Sequence, residues 1–157
     1  MALRLRTPMP SLAGATEWIG GGPIDNADLQ GHVTLVHFWA VSCNYCKPHL
    51  PIIAQWKESY EKRGVRFVSV HMPRRQEDTD VAEVRKVVEE SGLKHPTAVD
   101  NMHAVADAFE NEFVPSYYVF DEKGQLRLYI SGEKVLPNVQ AALDRLVEAQ
   151  AGAEAQG

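Results

Sequence analysis

Hydrophobic positions divide this chain into short apolar runs separated by amphipathic stretches, and the order of the two kinds predicts most of its elements. Val33 to Trp39 (VTLVHFW) is nearly continuous in apolar residues, the pattern of a strand buried on both faces. From Asn44 to about Lys62, Leu50, Ile52, Ile53, Trp56 and Tyr60 recur at helical spacing, and Gly64 follows as a stop signal. Val65 to Met72 reads as a second buried strand. Asp80 with Glu83 has capping-box spacing and opens a helix whose stripe is Val81, Val84, Val87 and Val88, closed by Gly92. A short strand at Thr97 to Val99 and a helical turn at Ala104 to Phe109 come next. Pro115 to Asp121 and Leu126 to Ile130, joined by Glu122-Lys123-Gly124, form an antiparallel hairpin. Asn138 is placed to cap a last helix through Val139, Leu143 and Leu146.

Strands joined by helices, then a hairpin and a closing helix, predict an α/β domain with a central mixed sheet covered by helices on both faces. That domain is expected to span residues 1–148, with the low-complexity tail 149–157 frayed. At 157 residues one core suffices, and 45% hydrophobic with 24% charged residues is ordinary for a globular protein. The net charge of -5 and the absence of a Lys/Arg cluster argue against a nucleic-acid partner. The opening MALRLRTPMPSLAG lacks the apolar core of a secretory signal, and no run is long enough to span a bilayer, so no membrane partner and a cytoplasmic location are expected. Both cysteines fall in one motif, which fits a compartment where thiols stay reduced.

That motif carries the chemistry. Cys43-Asn44-Tyr45-Cys46 follows a strand and opens a helix, and a Cys-x-x-Cys pair in this setting is read first as redox-active. At a helix start, unsatisfied N–H groups and the helix dipole favour a thiolate and lower a thiol pKa from about 8.5 toward roughly 3.5 to 7.5. Cys43 is therefore the expected nucleophile, and Cys46, less exposed, the thiol that resolves a mixed disulfide.

Phe38-Trp39-Ala40, the Cys43 to Cys46 motif, Pro51, Val114-Pro115 and Gly132 fall where thioredoxin-family proteins keep their motifs, and the chain resembles that superfamily over nearly its whole length. The N-terminal extension from Pro8 to Ile19 and the long segment between the Val65 strand and Pro115 resemble the TlpA/ResA branch. The resemblance implies a thioredoxin fold and thiol-disulfide exchange with protein disulfide substrates, supplied by an electron donor that the sequence does not name. It further implies that Pro115 follows a cis peptide bond facing the cysteines, that the Val114 main chain pairs with an extended substrate, and that Trp39 packs near the site. Two positions depart from the family: His37 stands where many thioredoxins carry a buried acid, and Ser42 where they often carry Trp. His37 is one candidate for proton transfer; His49, where ResA-like proteins resemble one another in carrying glutamate, is the other.

Two other functions use the same residues. Cys43, Cys46 and His49 form a Cys-x-x-Cys-x-x-His array able to hold a soft metal, yet no fourth ligand is evident, so no metal is expected. A peroxidase of the peroxiredoxin kind would need Pro at Val36 and Thr or Ser at Ala40. No small-molecule cofactor motif is present, and Lys47 after Cys46 excludes a Cys-x-x-Cys-His haem attachment.

Overall fold

The computed structural model describes residues 2–156. Its sheet has six strands: β1 (Glu17–Ile19), β2 (Thr34–Trp39), β3 (Arg66–His71), β4 (Thr97–Val99), β5 (Ser116–Phe120) and β6 (Leu126–Ser131), in the order β1-β4-β3-β2-β5-β6. β2 runs parallel to β3 and antiparallel to β5, and both of its faces are covered, which is why its sequence is apolar without alternation. β3 and β4 are parallel, while β1 and β6 close the two edges antiparallel. This is the expected mixed sheet of a thioredoxin fold.

Two apolar layers sandwich the sheet. Leu35, Trp39, Tyr117 and Val119 pack with residues of α1 (His49–Glu61), α2 (Val81–Ser91) and α4 (Leu136–Gln156). Val36, Phe38, Val68, Val70, Tyr118 and Phe120 face α3 (Ala104–Ala108) and the N-terminal segment around Leu12 and Leu29. Alternate residues of β2 and β5 thus feed opposite layers, as the pleat requires. That N-terminal extension joins the sheet through β1 and a bridge between Pro8 and Gln125.

Several boundaries differ from expectation. The first long helix starts at His49 rather than Asn44, because Pro48 and Pro51 carry no N–H to continue an α-helical ladder through the motif. Residues 43 to 48 instead form consecutive turns, with Cys46 N–H on the Cys43 carbonyl (3.2 Å) and His49 N–H on the Cys46 carbonyl (3.0 Å). Ile52, placed on the apolar stripe by its spacing, is exposed. Asp80 caps α2 through Ala82 N–H at 3.0 Å, without the reciprocal bond from Glu83. Gly92 ends that helix in the left-handed region (φ 77°), which explains the glycine. The last helix begins at Leu136, so Asn138 lies inside its first turn and is not its cap. The tail expected to fray continues α4 as far as Gln156; Ala, Glu and Gln are strong helix formers, and Gln150 anchors the segment on the Gly31 carbonyl at 3.2 Å. Gly157 lies outside the described residues.

Candidate active site

β2 ends at Trp39, and three residues of loop carry the chain from Ala40 to Cys43. Cys43 and Cys46 are joined as a disulfide with Cα atoms 5.2 Å apart. The Cys46 N–H also points at Cys43 Sγ (3.1 Å), so the turn supplies a donor that stabilises negative charge placed on that sulfur. The exposure expected to separate the cysteines is small in this oxidised state: Cys43 is 2% exposed and Cys46 0%. Their difference lies in hydrogen bonding instead.

Antiparallel pairing of β2 with β5 sets Phe38 opposite Ser116, so Val114 and Pro115 stand at the same sheet end as the cysteines. The Val114–Pro115 peptide is cis. Val114 lies beyond the last ladder pair, half-buried against the apolar cluster that contains Cys43 and Cys46. Phe113 beside it is 59% exposed, and Tyr45 within the motif 58%. A groove of about 560 Å³ opens next to the motif between Tyr45, Pro48 and Ile52 on one wall and Leu136 and Pro137 on the other. Trp39 is fully buried in the same cluster, its ring edge-on to His71 at 4.9 Å.

Both candidate histidines are buried, His49 included although it lies on the first turn of α1. The Glu133 carbonyl lies 2.8 Å from His49 Nε2 and can only accept, so Nε2 carries the proton. Nδ1 of the neutral ring then accepts from the Tyr117 hydroxyl at 2.6 Å. Burial lowers the His49 pKa, against the raising effect of the Glu133 carbonyl and carboxylate. Burial pushes the Tyr117 phenol far up, so it remains a donor. His37 stacks on the same tyrosine, 5.1 Å between centroids, and meets the Ser69 hydroxyl at 2.9 Å; Ser69 in turn meets His95 at 2.6 Å. Burial, then the neighbouring His95 and His49, hold His37 well below its ordinary value. It is a neutral hydrogen-bonding ring and a weak base at neutral pH.

With both nitrogens engaged, His49 offers no third ligand beside the cysteines, and no cluster of three His, Cys, Asp or Glu side chains suited to a metal occurs among the described residues. Val36 and Ala40, the positions a peroxidase would need as Pro and Thr or Ser, are apolar and fully buried. Sequence reasoning missed Tyr117, although register alone places it directly opposite His37. It also missed Asp78, whose buried carboxylate reaches Ser42 from the segment after β3.

Residues 6–129 match the model of the AhpC/TSA family. The chain belongs to that family. Within it, the chain is 37% identical over 92% of its length to the thiol-disulfide oxidoreductase YkuV of Bacillus subtilis, covering 97% of that protein. It is 25% identical over 80% of its length to the thiol-disulfide oxidoreductase ResA of Bacillus anthracis, covering 70% of that protein. The solution structure of a thioredoxin-like protein in its oxidized form superposes with a TM-score of 0.86 at 37% identity, over 94% of this chain and 99% of that one. This AhpC/TSA member is a thioredoxin-like protein of the TlpA/ResA branch and a thiol-disulfide oxidoreductase, with Cys43 and Cys46 at disulfide distance.

Proposed function

We propose that this oxidoreductase works as a disulfide reductase on proteins, with Cys43 attacking and Cys46 resolving. The observation that carries the assignment is the Cys46 N–H directed at Cys43 Sγ: a donor on the first sulfur stabilises its thiolate and makes Cys43 the better nucleophile and leaving group. In the reduced protein the Cys43 thiolate attacks one sulfur of a substrate disulfide. A Cys43–substrate bond forms, and the second substrate sulfur leaves as a thiolate and takes a proton. Cys46, deprotonated, then attacks Cys43 Sγ, which forms the internal disulfide and releases the other substrate thiol. Two electrons pass to the substrate, and a donor dithiol returns them.

His49 is the better candidate to take the Cys46 proton. It opens α1 with its backbone N–H on the Cys46 carbonyl, and its Nδ1 would exchange the Tyr117 hydroxyl for the Cys46 proton, whereas His37 has a strongly depressed basicity. The exposed Tyr45 and Phe113 and the groove beside the motif suit an extended, partly apolar substrate segment lying along Val114. Reduction rather than oxidation fits a reducing compartment, for which the confinement of both cysteines to the active pair is the support. No helix among the described residues is long and apolar enough to cross a membrane.

Cys46→Ser is expected to accumulate covalent complexes with partner proteins in cell extracts, and Cys43→Ser is not. Non-reducing gels with mass spectrometry read the result and name substrates and donor together. Equal trapping by both single variants would overturn the division of labour.

A further inference from the structure

The residue immediately before the nucleophile is held from outside its own loop. After β3 the chain turns through Met72 to Asp80 and comes back over Ser42. The Ser42 hydroxyl donates to Asp78 Oδ2 at 2.7 Å, and the Arg74 backbone N–H donates to the same oxygen at 2.9 Å. The Arg74 guanidinium closes over Ser42, giving one bond of 2.7 Å to its carbonyl and two of 3.2 Å, from Nε and one terminal nitrogen, to its hydroxyl oxygen. One residue earlier, Val41 N–H donates to His71 Nε2 at 3.0 Å.

Two parts of this arrangement call for a reason. Asp78 is a carboxylate only 2% exposed, directly after the exposed residues 74–77. Burial acts against its charge, but the Ser42 hydroxyl, the Arg74 N–H and the nearby His71 and Arg75 bring its pKa below the ordinary value, so it stays ionised. A buried carboxylate is kept when it is satisfied by what it binds, and here it binds Ser42 and the Arg74 main chain. Arg74, by contrast, is an exposed side chain that spends its fork on a single serine. The Asp78 carboxylate engages the Arg74 main chain, leaving the guanidinium to the Ser42 carbonyl, whose peptide group contains the Cys43 nitrogen.

We infer that Arg74, seated by Asp78, is a positioning residue for Cys43: it fixes the Ser42–Cys43 peptide and places a positive charge beside the sulfur, stabilising its thiolate. This rests on the reading of Cys43 as the attacking thiol. The charged and titratable groups around Ser42 and the motif are His71 from β3, Asp78 and Arg75 from the same loop, Lys47 and His49 after Cys46, and Glu133 and Lys134 across the groove. His71 and His49 are buried with lowered pKa values and are neutral at neutral pH, and Asp78 works against the effect. Arg74 is the cation in direct contact with the Ser42–Cys43 peptide.

The test is the Cys43 thiolate titration in the reduced protein, followed by thiolate absorbance and by alkylation rate against pH. An opposite charge nearby typically moves a pKa by about one unit or more, less where solvent screens it. Arg74→Gln is therefore expected to raise the Cys43 pKa by about 0.5 to 1 unit. A tenfold loss of thiolate stability lowers the reduction potential by up to about 30 mV against a glutathione buffer. Arg74→Lys keeps the charge and is expected to recover at least half of the change. In the wild type, the Cys43 pKa should rise between low salt and about 1 M salt, and in Arg74→Gln it should not. Equal pKa, potential and salt response in wild type and Arg74→Gln would overturn the inference, and the wild-type salt response decides alone if the variant does not fold. Failure of the underlying reading looks different: Cys43→Ser would then trap covalent complexes as readily as Cys46→Ser does, whatever Arg74 does.

Discussion

Lowering the pH should unfold this protein earlier than its carboxylates alone require, because at least three buried imidazoles must be charged. His71 and His95 are held from about 6.5 down to about 4, in both cases chiefly by burial; the Asp78 carboxylate opposes the shift at His71, and the Lys57 charge adds to it at His95. His37 is shifted in the same direction by burial and by its two histidine neighbours. The unfolded chain takes up these protons near pH 6.5 and the folded chain only near pH 4 or below, so across that interval the unfolded state binds more protons. Stability is therefore fully present above about pH 6.5 and is lost as pH falls toward about 4. At about 1.4 kcal/mol per pH unit, each fully depressed imidazole removes roughly 3.5 kcal/mol over this window. Two such groups remove roughly 7 kcal/mol, comparable with the whole stability of about 5 to 15 kcal/mol expected for a domain. Urea unfolding of the oxidised protein, followed by circular dichroism at pH 7, 6, 5 and 4.5, should show stability falling by up to about 4 kcal/mol per pH unit in the steepest region, the slope of three protons. His95→Asn should cut that slope by about one third whatever it does to stability at pH 7. A stability that stays flat from pH 7 to pH 5, or an unchanged slope in His95→Asn, would refute the reasoning.

Two further outcomes probe the site and the core separately. Tyr117→Phe removes the hydroxyl that donates to neutral His49 and should raise the His49 pKa, seen by NMR titration of its ring protons, at a cost of about 1 kcal/mol in stability. Leu143→Ala, at a fully buried position of α4 against the sheet, should cost about 2 to 5 kcal/mol in chemical denaturation while leaving the thiolate titration of Cys43 in place.

The elements with a single strong period were legible in the sequence, and the places where two signals compete were not. β2 and β3 announce themselves because both faces are buried and, past the strand-opening Thr34 and Arg66, the polar residues they tolerate are His37, Ser69 and His71. Those three polar residues are also where function or buried hydrogen bonding resides, so the break in the pattern was itself informative. The start of α1 was misplaced because apolar spacing runs back through the motif, whereas the ladder depends on N–H groups that Pro48 and Pro51 lack. Gly152 among repeated alanines makes the end of the chain look like low complexity, although the helix propensity of the alanines and the Gln150 contact carry α4 past that glycine. The cysteines could be read from spacing alone. The Arg74–Asp78–Ser42 cluster could not, because Ser42 and Asp78 are 36 residues apart and meet only when the loop after β3 folds back over the end of β2.

Replacing a buried acid by His37 changes what the interior asks of the thiol. A buried carboxylate beneath a Cys-x-x-Cys pair would oppose a second negative charge nearby whenever it was ionised, coupling its own titration to that of the cysteines. Here the corresponding ring is held neutral by burial, and its neighbours Ser69, Tyr117 and His95 are neutral too. The ring cluster around His37 therefore contributes hydrogen bonds but no negative charge; the Asp78 carboxylate behind Ser42 opposes the Cys43 thiolate, and the Cys46 N–H and the Arg74 guanidinium favour it. Neutrality also accounts for the acid sensitivity. The burial that keeps these rings uncharged at neutral pH is what makes their protonation so costly below it, so the thiol's electrostatic setting and the domain's loss of stability in acid have one physical origin.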